Sequence, residues 1–378
     1  MVDRLHQIRP KKLAPESRKP RPAHGREPRF ARRLLLRLRD DPHAQRLTIQ
    51  IAFIALCVWI GVEFHFFMRW GLSGGTEPFV ARPPGVEGFL PISALISLKH
   101  SLLTGTINQI HPAALFILLA ILVVSVAAKK AFCSFLCPVG TLSEYLWRLG
   151  RRVYRKNLVL PRWLDYPLRS LKYLLLLFFV WSIGKMDGPT LAAFIGSPYN
   201  KVADIKMYLF FAELSGLALK VLVVLAALSL VIKNAWCRFL CPYGALLGIV
   251  GWLSPLKVTR TVSTCIECQL CTRACPSDIR VHQKGRVWSD ECTSCLECVA
   301  VCPVKDTLEV RARGRRISPL AVAGVVAAVF LGVTGLAMAT GHWQNHISRE
   351  EYLLRFGRLD SPMYQHARGR VPAYGPQD

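Results

Sequence analysis

Charged residues are scarce in this chain, and acidic residues are the scarcer kind. Asp, Glu, Lys and Arg make up 19% of the 378 residues, with 24 acidic against 49 basic side chains. Hydrophobic residues make up 52%, and the mean hydropathy is +0.30. This composition excludes disorder over most of the length, and several apolar runs can cross a hydrocarbon core of about 30 Å. An integral membrane protein is the predicted class.

Two sequence signals are also missing. No C-x-x-C-H motif is present, which excludes covalent c-type haem. No cleavable signal peptide is predicted, because the apolar run at residues 34–36 is short and is followed by Arg37 and Arg39. The proline-rich basic tail, residues 1–46, lacks interleaved aromatic residues and any recognisable nucleic-acid module. We therefore expect a disordered tail that contacts membrane lipid, and no nucleic acid partner.

Five apolar segments of about 17 to 25 residues are predicted to span a membrane. They are residues 47–68, 110–128, 170–186, 212–232 and 319–341. A sixth apolar stretch, residues 88–103, contains Pro91, Lys99 and His100 and is predicted to be interfacial or re-entrant.

The basic residues predict the orientation of these spans, since Lys and Arg concentrate in cytoplasmic loops. Segments 1–46, 129–172 and 233–318 carry 37 of the 49 Lys and Arg residues, and the loops on the opposite side carry 11. This bias predicts a bacterial inner (cytoplasmic) membrane protein with a cytoplasmic N-terminus and an external C-terminal tail at residues 342–378. Most of the net charge of +25 is then explained by topology.

Twelve of the thirteen cysteines fall into four groups on the predicted cytoplasmic side. That compartment is reducing, so metal ligation is a more natural use for them than disulfide formation. Two groups repeat the run C-x2-C-x2-C-x3-C-P, which is typical of bacterial ferredoxins with two 4Fe-4S clusters. The cysteines of the first run are Cys265, Cys268, Cys271 and Cys275, and those of the second are Cys292, Cys295, Cys298 and Cys302.

In two-cluster ferredoxins the fourth cysteine of each run binds the other cluster. The predicted ligands of cluster 1 are Cys265, Cys268, Cys271 and Cys302, and those of cluster 2 are Cys292, Cys295, Cys298 and Cys275. Short strands at residues 279–282 and 287–289 are expected to flank a turn. A pair of zinc sites is the alternative, although a third cysteine two residues after each C-x2-C fits zinc poorly.

The other two cysteine groups form an internal repeat. Residues 131–142 and 235–246 are identical at eight of twelve positions and lie 104 residues apart, and each copy follows a predicted span. Two spans separate the copies, so they are expected to have the same orientation in the membrane. The shared segment is C-x3-C-P, and its cysteines are Cys133, Cys137, Cys237 and Cys241, named here the cysteine quartet.

Cysteines four residues apart on a helix point to one face, so each pair of the quartet is predicted to present two sulfurs side by side. If the repeats pack about a pseudo-twofold axis, the four sulfurs meet and form a site for iron, an iron-sulfur cluster or another soft metal. The alternative is a pair of redox-active dithiols, because thiol exchange needs the same accessible, deprotonated sulfur as metal ligation.

A few ionisable residues in the predicted spans are candidates for a proton or quinone path. Glu63 and His65 form the better pair, because quinol oxidation needs proton acceptors near its site, and Glu213 and Lys220 lie in the fourth span. His111 is interpreted as a residue at the start of a helix. A b-type haem between His65 and His111 is an alternative use of both histidines. Cys57, alone in the first span, is interpreted as a small core residue.

The C-x3-C-P motifs at the ends of spans, followed by the double ferredoxin run, resemble the membrane polyferredoxins of the NapH, NosR and CcoG type. The resemblance covers residues 47–310. It implies electron transfer between a quinol or other membrane redox donor and a respiratory or metal-handling partner. The chain has no room for the periplasmic flavin region of the NosR type or the immunoglobulin-like extension of the CcoG type. The nitrate-reductase-type subunit is thus the closest analogue.

The predicted fold is an α-helical integral membrane bundle of about five spans with an inserted α+β ferredoxin domain. Its predicted parts are the tail (1–46), a four-span region (47–258), the ferredoxin domain (259–310), the fifth span (311–341) and the external tail (342–378). The predicted function is electron transfer through two 4Fe-4S clusters with redox partner subunits, as a quinol-linked oxidoreductase component. The alternatives are a metal-ion reductase or cofactor-assembly factor that uses the quartet, and a redox-sensing regulator.

Overall fold

The computed structural model describes residues 41–364, so most of the predicted basic tail and the last fourteen residues lie outside the described part. The chain forms two compact units. The described residues of one are 41–51, 124–172 and 226–327, and those of the other are 52–123, 173–225 and 328–364. The first holds twelve of the thirteen cysteines and is named the cysteine-rich unit. The second holds Cys57 and is named the cysteine-poor unit.

Helices dominate the described residues. In chain order they are α1 (Pro42–Leu72), α2 (Pro91–Thr104), α3 (Pro112–Ala128), α4 (Ala131–Phe135), α5 (Pro138–Tyr154), α6 (Arg162–Gly184), α7 (Gly188–Gly196), α8 (Pro198–Lys201), α9 (Ala203–Ala212), α10 (Gly216–Val231), α11 (Ala235–Phe239), α12 (Pro242–Val250), α13 (Leu270–Ala274), α14 (Glu297–Ala300), α15 (Pro319–Ala339) and α16 (Arg349–Phe356). The strands are β1 (Leu256–Arg260), β2 (Leu308–Ala312) and β3 (Arg315–Ile317), and 3₁₀ helices cover Pro84–Phe89, Val281–Gln283 and Pro362–Tyr364.

Three helices, α1, α6 and α15, are long and apolar enough to cross a membrane. Helices α9 and α10 pass the same test together and are bent by 80° at the break between them, so they add a fourth candidate if the pair is one span. Helix α3 is apolar but has 17 residues, or about 26 Å at 1.5 Å per residue, which is less than a hydrocarbon core of about 30 Å. The described residues thus contain three or four candidate spans, and the five-span topology stays a prediction.

The span predicted at residues 212–232 is interrupted in the structure. Glu213 ends α9 in a non-helical conformation, with φ −116° and ψ 57°. The Ser215 hydroxyl then accepts the Ala218 N–H at 3.2 Å, which caps the start of α10. A new helix therefore begins at Gly216 instead of the old one continuing.

The cysteine-poor unit contains the stretch predicted to be interfacial, which forms α2. Pro91 starts this helix, and Gly105 ends it with φ +70°, a conformation that glycine adopts without steric cost. Helix α2 packs against α7, where Ile96 and Leu191 are buried. A second core in this unit is aromatic, with Phe67 packed edge-on against a tyrosine and a phenylalanine of α16.

The ferredoxin segment lies in the cysteine-rich unit and is bracketed by an antiparallel sheet of order β1-β2-β3. Strand β1 precedes the first cysteine run and β2 follows the second, and Val258 pairs with Val310 in the centre of their register. The Thr261 N–H also donates to the Thr307 carbonyl at 2.8 Å. This pairing brings together the two ends of the loop that holds all eight cysteines.

The short strands predicted on either side of Gly285 form only in part. Residues 281–283 make a 3₁₀ turn closed by local hydrogen bonds, such as Lys284 N–H to the Val281 carbonyl at 3.0 Å. After the turn, Arg286 forms a bridge with Thr259, and the Val287 N–H donates to the Val258 carbonyl at 2.9 Å. Only Arg286 and Val287 pair with a strand, because β1 pairs with β2 on one side and can accept hydrogen bonds from them on the other.

Candidate functional site

Four cysteines from both ferredoxin runs line one cavity in the cysteine-rich unit. They are Cys265, Cys268, Cys271 and Cys302. The last of these comes from the second run, so the cavity groups the cysteines in the same set that the spacing predicts. That this set holds a cluster stays a prediction.

The remaining four ferredoxin cysteines line a second cavity, and they are Cys275, Cys292, Cys295 and Cys298. Apolar side chains, including Val258, Val281 and Val287, line the second cavity together with the small polar residues Ser277, Thr293 and Ser294.

Left-handed backbone conformations wind the two cysteine loops in the same way. Glu267 and Gln269 have φ +56° and +60° in the first loop, and Ser294 and Leu296, 27 residues later, have φ +50° and +61° in the second. Bulky side chains rarely adopt this conformation, so its repetition marks a constrained loop. The first two cysteines of each run lie in the wound loop and the third lies in the short helix that follows, α13 or α14, and all three line one cavity.

The donor chemistry of both cavities, four cysteine sulfurs in each, fits an iron-sulfur cluster, which takes one thiolate on each iron. In residues 41–364, no three His, Cys, Asp or Glu side chains lie close enough together to hold a single metal ion, and this holds for the quartet as well as for the two cavities.

Burial keeps three cysteines of the second set protonated in the absence of metal. It raises the pKa of Cys275 to about 12 and that of Cys295 to about 11. Burial and then the neighbouring cysteines raise the pKa of Cys298 well above its ordinary value. Metal binding at this set must therefore displace protons from the thiols.

The second cysteine of each repeat begins a helix in the structure. Cys137 is the N-cap of α5 and Cys241 is the N-cap of α12. Each sulfur accepts the backbone N–H of the glycine three residues later, at 3.4 Å from Gly140 and 3.3 Å from Gly244. The intervening proline stands in the first helical turn, where its missing N–H costs nothing. This C-P-x-G segment places a sulfur at the positive end of a helix, which favours a thiolate.

The predicted placement of each pair on one helical face is wrong. The first helix of each repeat ends before the second cysteine, at Phe135 in α4 and at Phe239 in α11. Cys137 and Cys241 are extended, with ψ 118° and 107°. The cause is the following proline, whose ring disfavours the helical conformation of the residue before it.

Electrostatic interactions connect the two pairs of the quartet. The thiol of Cys133 interacts with those of Cys137 and Cys241, and the thiol of Cys237 interacts with all three. Burial, partly offset by Lys130 and reinforced by the neighbouring thiols, raises the pKa of Cys133 to about 12. That the two pairs, 104 residues apart in sequence, form one metal site stays a prediction.

Both repeats are hydrogen-bonded to the ferredoxin segment. In the first, Lys129 donates to the carbonyls of Val287 and Ser289, each at 3.1 Å. In the second, Lys233 donates to the carbonyls of Arg273 and Cys275, at 3.0 and 3.2 Å. These contacts fall next to Cys275 and Cys292, both of which line the second cavity. The quartet and that cavity are therefore parts of one packed structure.

Glu63, His65, Glu213 and Lys220, the candidates for a proton or quinone path, lie in the cysteine-poor unit. His65 is exposed and bonds the Tyr208 hydroxyl at 2.6 Å, Glu63 is half-buried, and Glu213 and Lys220 are exposed. The Nε2 of buried His111 donates to the Asn200 carbonyl at 2.7 Å. The roles predicted for these residues stay predictions.

Sequence reasoning missed the buried charges. Lys129 and Lys130 directly follow the span predicted at residues 110–128, and both side chains are buried and reach the ferredoxin segment. Glu291, directly before Cys292, bonds Lys172 and lies 3.6 Å from Lys130. The available signal was the position of acidic residues immediately before a cysteine run and of lysines immediately before each repeat.

A family model described as a 4Fe-4S binding domain matches the chain twice, at residues 110–157 and 214–261. Each match contains one C-x3-C-P motif. A model described as a 4Fe-4S dicluster domain matches residues 257–303, which include both ferredoxin runs. The four cysteine groups thus lie inside matches to iron-sulfur domains.

YccM of Escherichia coli (strain K12), whose name describes an electron transport protein, is 42% identical over 81% of this chain and 88% of its own length. The ferredoxin-type protein NapH of the same organism is 28% identical over 56% of this chain and 71% of its own length. The methylamine utilization ferredoxin-type protein MauN of Methylorubrum extorquens is 30% identical over 62% and 79%. No solved structure matches the chain. The chain belongs to the family of membrane polyferredoxin-type proteins with 4Fe-4S domains.

Proposed function

We propose that this iron-sulfur electron-transfer protein connects a quinol, or another membrane redox donor, to a respiratory partner. The observation that carries the proposal is the pair of similar cavities, each lined by four cysteines of the ferredoxin segment. A bound 4Fe-4S cluster supplies a one-electron redox centre in each cavity. The names of YccM, NapH and MauN support electron transfer as the shared role of the family.

The proposed ligands follow the two cavities. Cluster 1 is assigned to Cys265, Cys268, Cys271 and Cys302, and cluster 2 to Cys275, Cys292, Cys295 and Cys298. The protein's part is to hold four sulfurs in a mostly apolar cavity and to keep water away from them. The apolar side chains of the lining limit the access of water, and solvent access influences the reduction potential of a metal centre.

A third centre is proposed at the quartet, holding iron, an iron-sulfur cluster or another soft metal. Its support is the mutual proximity of the four thiols, together with the 4Fe-4S binding domain matched over each repeat. The helix N-termini at Cys137 and Cys241 add partial positive charge that stabilises thiolate ligands.

The proposed topology keeps five spans, with the N-terminus and all four cysteine groups on the cytoplasmic side of the inner membrane and the C-terminus outside. The distribution of Lys and Arg supports it, and the apolar helices α1, α6 and α15 provide three of the spans. Helix α3 and the bent pair α9 and α10 would provide the others. The proposed ferredoxin domain, residues 259–310, lies between the fourth and fifth spans, and lipid surrounds the bundle.

Anaerobic purification followed by iron, acid-labile sulfide and EPR analysis tests the proposal. We expect about eight irons per chain if the ferredoxin pair alone is loaded, and more if the quartet is loaded too. Addition of a quinol should bleach the cluster absorbance. A colourless preparation that is correctly folded, or one that contains zinc, contradicts the proposal.

A second candidate function is a soft-metal reductase or cofactor-assembly factor that works at the quartet. The two C-x3-C-P pairs of the quartet favour it, because paired thiols can bind a soft metal and undergo thiol exchange. Cys133→Ser and Cys237→Ser should then abolish reduction of the metal while the ferredoxin EPR signals persist. Unchanged metal reduction in both variants contradicts this second function.

A further inference from the structure

The first cavity of the ferredoxin segment has basic side chains in its lining. Arg260, at the end of β1, and His282, in the 3₁₀ turn, line it together with the four cysteines. Both residues are half-buried, so each also reaches the surface. Cys265 and Cys268 are half-buried as well. The first cavity therefore lies at the surface of the cysteine-rich unit, next to the permanent charge of a guanidinium.

The second cavity has different surroundings. Among the described residues, its lining contains no Asp, Glu, Lys, Arg or His. Val287 and Thr293, two of its lining residues, accept hydrogen bonds through their carbonyls from Lys129 and Ser134, at 3.1 and 2.7 Å. The first C-x3-C-P repeat thus packs beside the second cavity, and the cationic lining belongs to the first cavity.

The turn after the 3₁₀ helix adds two cations on the side of Arg260. The Nε of Arg260 donates to the Lys284 carbonyl at 3.3 Å, and its backbone N–H donates to the Gly285 carbonyl at 2.7 Å. Arg286 forms a bridge with Thr259, the residue before Arg260. Lys284 and Arg286 are exposed. They therefore extend the positive surface beside Arg260.

Helix α13 and the start of the 3₁₀ turn add two more cations. The Nδ1 of His282 and the Oγ1 of Thr272 are hydrogen-bonded at 2.7 Å, which joins the turn to α13. Arg273, next to Thr272, and Arg280, the N-cap residue of the turn, are exposed. Burial, and then repulsion from Arg260 and Arg280, lower the pKa of His282, in agreement with positive surroundings.

These cations are not balanced by neighbouring carboxylates. Within residues 41–364, none of them forms an ion pair with an acidic side chain. The acidic residues of the same stretch are Glu267, which is exposed, and Asp278, which pairs with Lys233 and Arg238 instead. Five cations thus accompany one exposed carboxylate, and they are named the basic patch: Arg260, Arg273, Arg280, Lys284 and Arg286.

Exposed apolar residues border the basic patch. They are Val262, whose carbonyl accepts the Cys265 N–H at 3.2 Å, and Leu270, which begins α13 directly before Cys271. Apolar contact surface together with arginine is typical of protein–protein interfaces, and electron-transfer partners use small ones. A cationic surface favours an anionic partner, because complementary charges steer the encounter.

Anionic lipid is another anionic surface that a membrane protein meets, and a different basic element suits it. Arg313 and Arg315, between β2 and β3, are exposed and precede the apolar helix α15. Leu308, which lines the first cavity, and Ala312, next to Arg313, are the two ends of β2, about 13 Å apart in an extended strand. Cations directly before a span are typical of lipid contact. The basic patch lies at the other end of the strand.

We propose that the basic patch is the docking surface for an acidic redox protein that exchanges one electron with the cluster of the first cavity. The inference rests on the proposed function, because it needs a cluster bound by the four cysteines of that cavity. One electron passes between the cluster and the one-electron centre of the partner. One of the two is oxidised as the other is reduced, and no bond forms or breaks.

The test compares charge-reversal variants of the full-length protein, purified anaerobically. Arg280→Glu combined with Lys284→Glu reverses two charges of the basic patch. Arg313→Glu combined with Arg315→Glu reverses two exposed charges at the other end of β2 and is the matched control. The clusters are reduced with dithionite, the excess is removed, and oxidation is followed by stopped-flow absorbance. The oxidants are iron(III)–EDTA, an anion, and hexaammineruthenium(III), a cation.

The patch variant should lower the ratio of the anion rate to the cation rate about tenfold at low ionic strength, because electrostatic steering is reversed. The difference should vanish in 1 M salt, where the Debye length is about 3 Å. The control variant should keep the wild-type ratio. A purified acidic flavodoxin, added in its oxidised form, should be reduced about tenfold more slowly by the patch variant than by the wild-type or control protein.

Two lipid environments separate a protein partner from a lipid surface. The measurements are repeated in nanodiscs of phosphatidylcholine alone and of phosphatidylcholine with phosphatidylglycerol. The same fall of the ratio in both kinds of disc supports docking of a protein. A fall that is lost in the anionic discs shows that lipid covers the patch and overturns the inference. An equal fall in the patch and control variants, or no fall in either, overturns it too.

Failure of the proposed function gives a different result. Wild-type protein without iron and without cluster EPR signals contradicts the proposed function and the inference together, before any rate is measured. Fully loaded protein whose rates do not depend on the basic patch contradicts the inference alone. EPR spectra show whether each variant keeps its clusters. Arg280→Gln combined with Lys284→Gln, which adds no new charge, should show a smaller fall of the same sign and replaces a charge-reversal variant that does not fold.

Discussion

In the cysteine-poor unit, buried Arg82 lies 2.9 Å from Glu87 and also contacts Asp204, so its charge is neutralised by protein carboxylates. In the cysteine-rich unit, buried Lys130 and Lys172 both form an ion pair with the single carboxylate of Glu291. The same energetic problem thus has two solutions. One buried cation contacts two carboxylates in the cysteine-poor unit, whereas two buried cations share one carboxylate in the cysteine-rich unit, and ion pairing of either kind lowers the cost of burying charge.

Substitution of single cysteines is expected to have the largest effect, and it tests whether the iron centres lie in the cysteine-rich unit alone. Cys275→Ser and Cys292→Ser should each remove the same EPR signal and about four irons, because both line the second cavity. Cys271→Ser should remove the other signal. Cys57→Ser, in the cysteine-poor unit, is the control and should leave the iron content intact. Loss of different signals in the first two variants would refute the crossed ligand assignment.

Arg82→Met tests whether the cysteine-poor unit is a structural scaffold. The substitution leaves Glu87 and Asp204 buried without their shared cation, and this should lower the free energy of unfolding by about 3–5 kcal/mol. Iron per folded chain should not change. Thermal unfolding in detergent and iron analysis of the folded fraction measure the two effects. Selective loss of iron from well-folded protein would contradict the scaffold role.

The glycines of the two C-P-x-G segments sharpen the comparison between the repeats. A Cβ at Gly140 would lie 2.2 Å from the Cys133 carbonyl oxygen, whereas one at Gly244 would lie 3.2 Å from that of Cys237. Gly140→Ala should therefore destabilise the protein by about 1–3 kcal/mol, and Gly244→Ala by less. Parallel melting curves of the two variants measure the difference. An equal loss of stability in the two variants would show that the first repeat relaxes around the added methyl group.

The smallest expected effect is a pH dependence of the metal-free protein. Burial, followed by repulsion from Lys129 and Arg286, lowers the pKa of Lys257 from 10.5 to about 8. The folded protein then binds this proton less tightly than the unfolded chain, so charged Lys257 disfavours the fold below pH 8. The contribution of Lys257 to stability should rise as the pH increases from about 8 to 10.5, whereas the raised pKa values of Cys133, Cys275 and Cys295 lower the stability above about pH 9. The stability of the wild-type protein minus that of Lys257→Met should therefore rise over this range. A pH series of unfolding midpoints tests this expectation, and identical profiles for both proteins contradict it.

The local sequence was sufficient to predict features that depend only on the spacing or the length of a segment. The crossed sets of ferredoxin cysteines follow from two runs of identical spacing, and the two cavities group the sulfurs in the same way. Helices α1 and α15 were predictable because an uninterrupted apolar segment of membrane length has few alternatives. The break at residues 213–215 was not, because one serine cap among apolar residues is a weak signal.

The arrangement of the quartet could not be predicted from the local sequence. The helical pairing of its cysteines was predicted incorrectly, since the effect of Pro138 and Pro242 on the preceding residue outweighs the apparent helical spacing. The convergence of the two repeats was only a hypothesis in the sequence, because packing across 104 residues has no local signature.

By itself the sequence determined the membrane class and the iron-sulfur family, because composition and short-range spacing encode them, and it predicts the partners of each ferredoxin cysteine. Only the tertiary structure decided that four lysines of the cysteine-rich unit are buried. Lys129, Lys130, Lys172 and Lys257 come from three separate parts of the chain. Their sequence positions carry no information on burial or on shared partners, and it is burial that turns an ordinary lysine into a strong electrostatic influence.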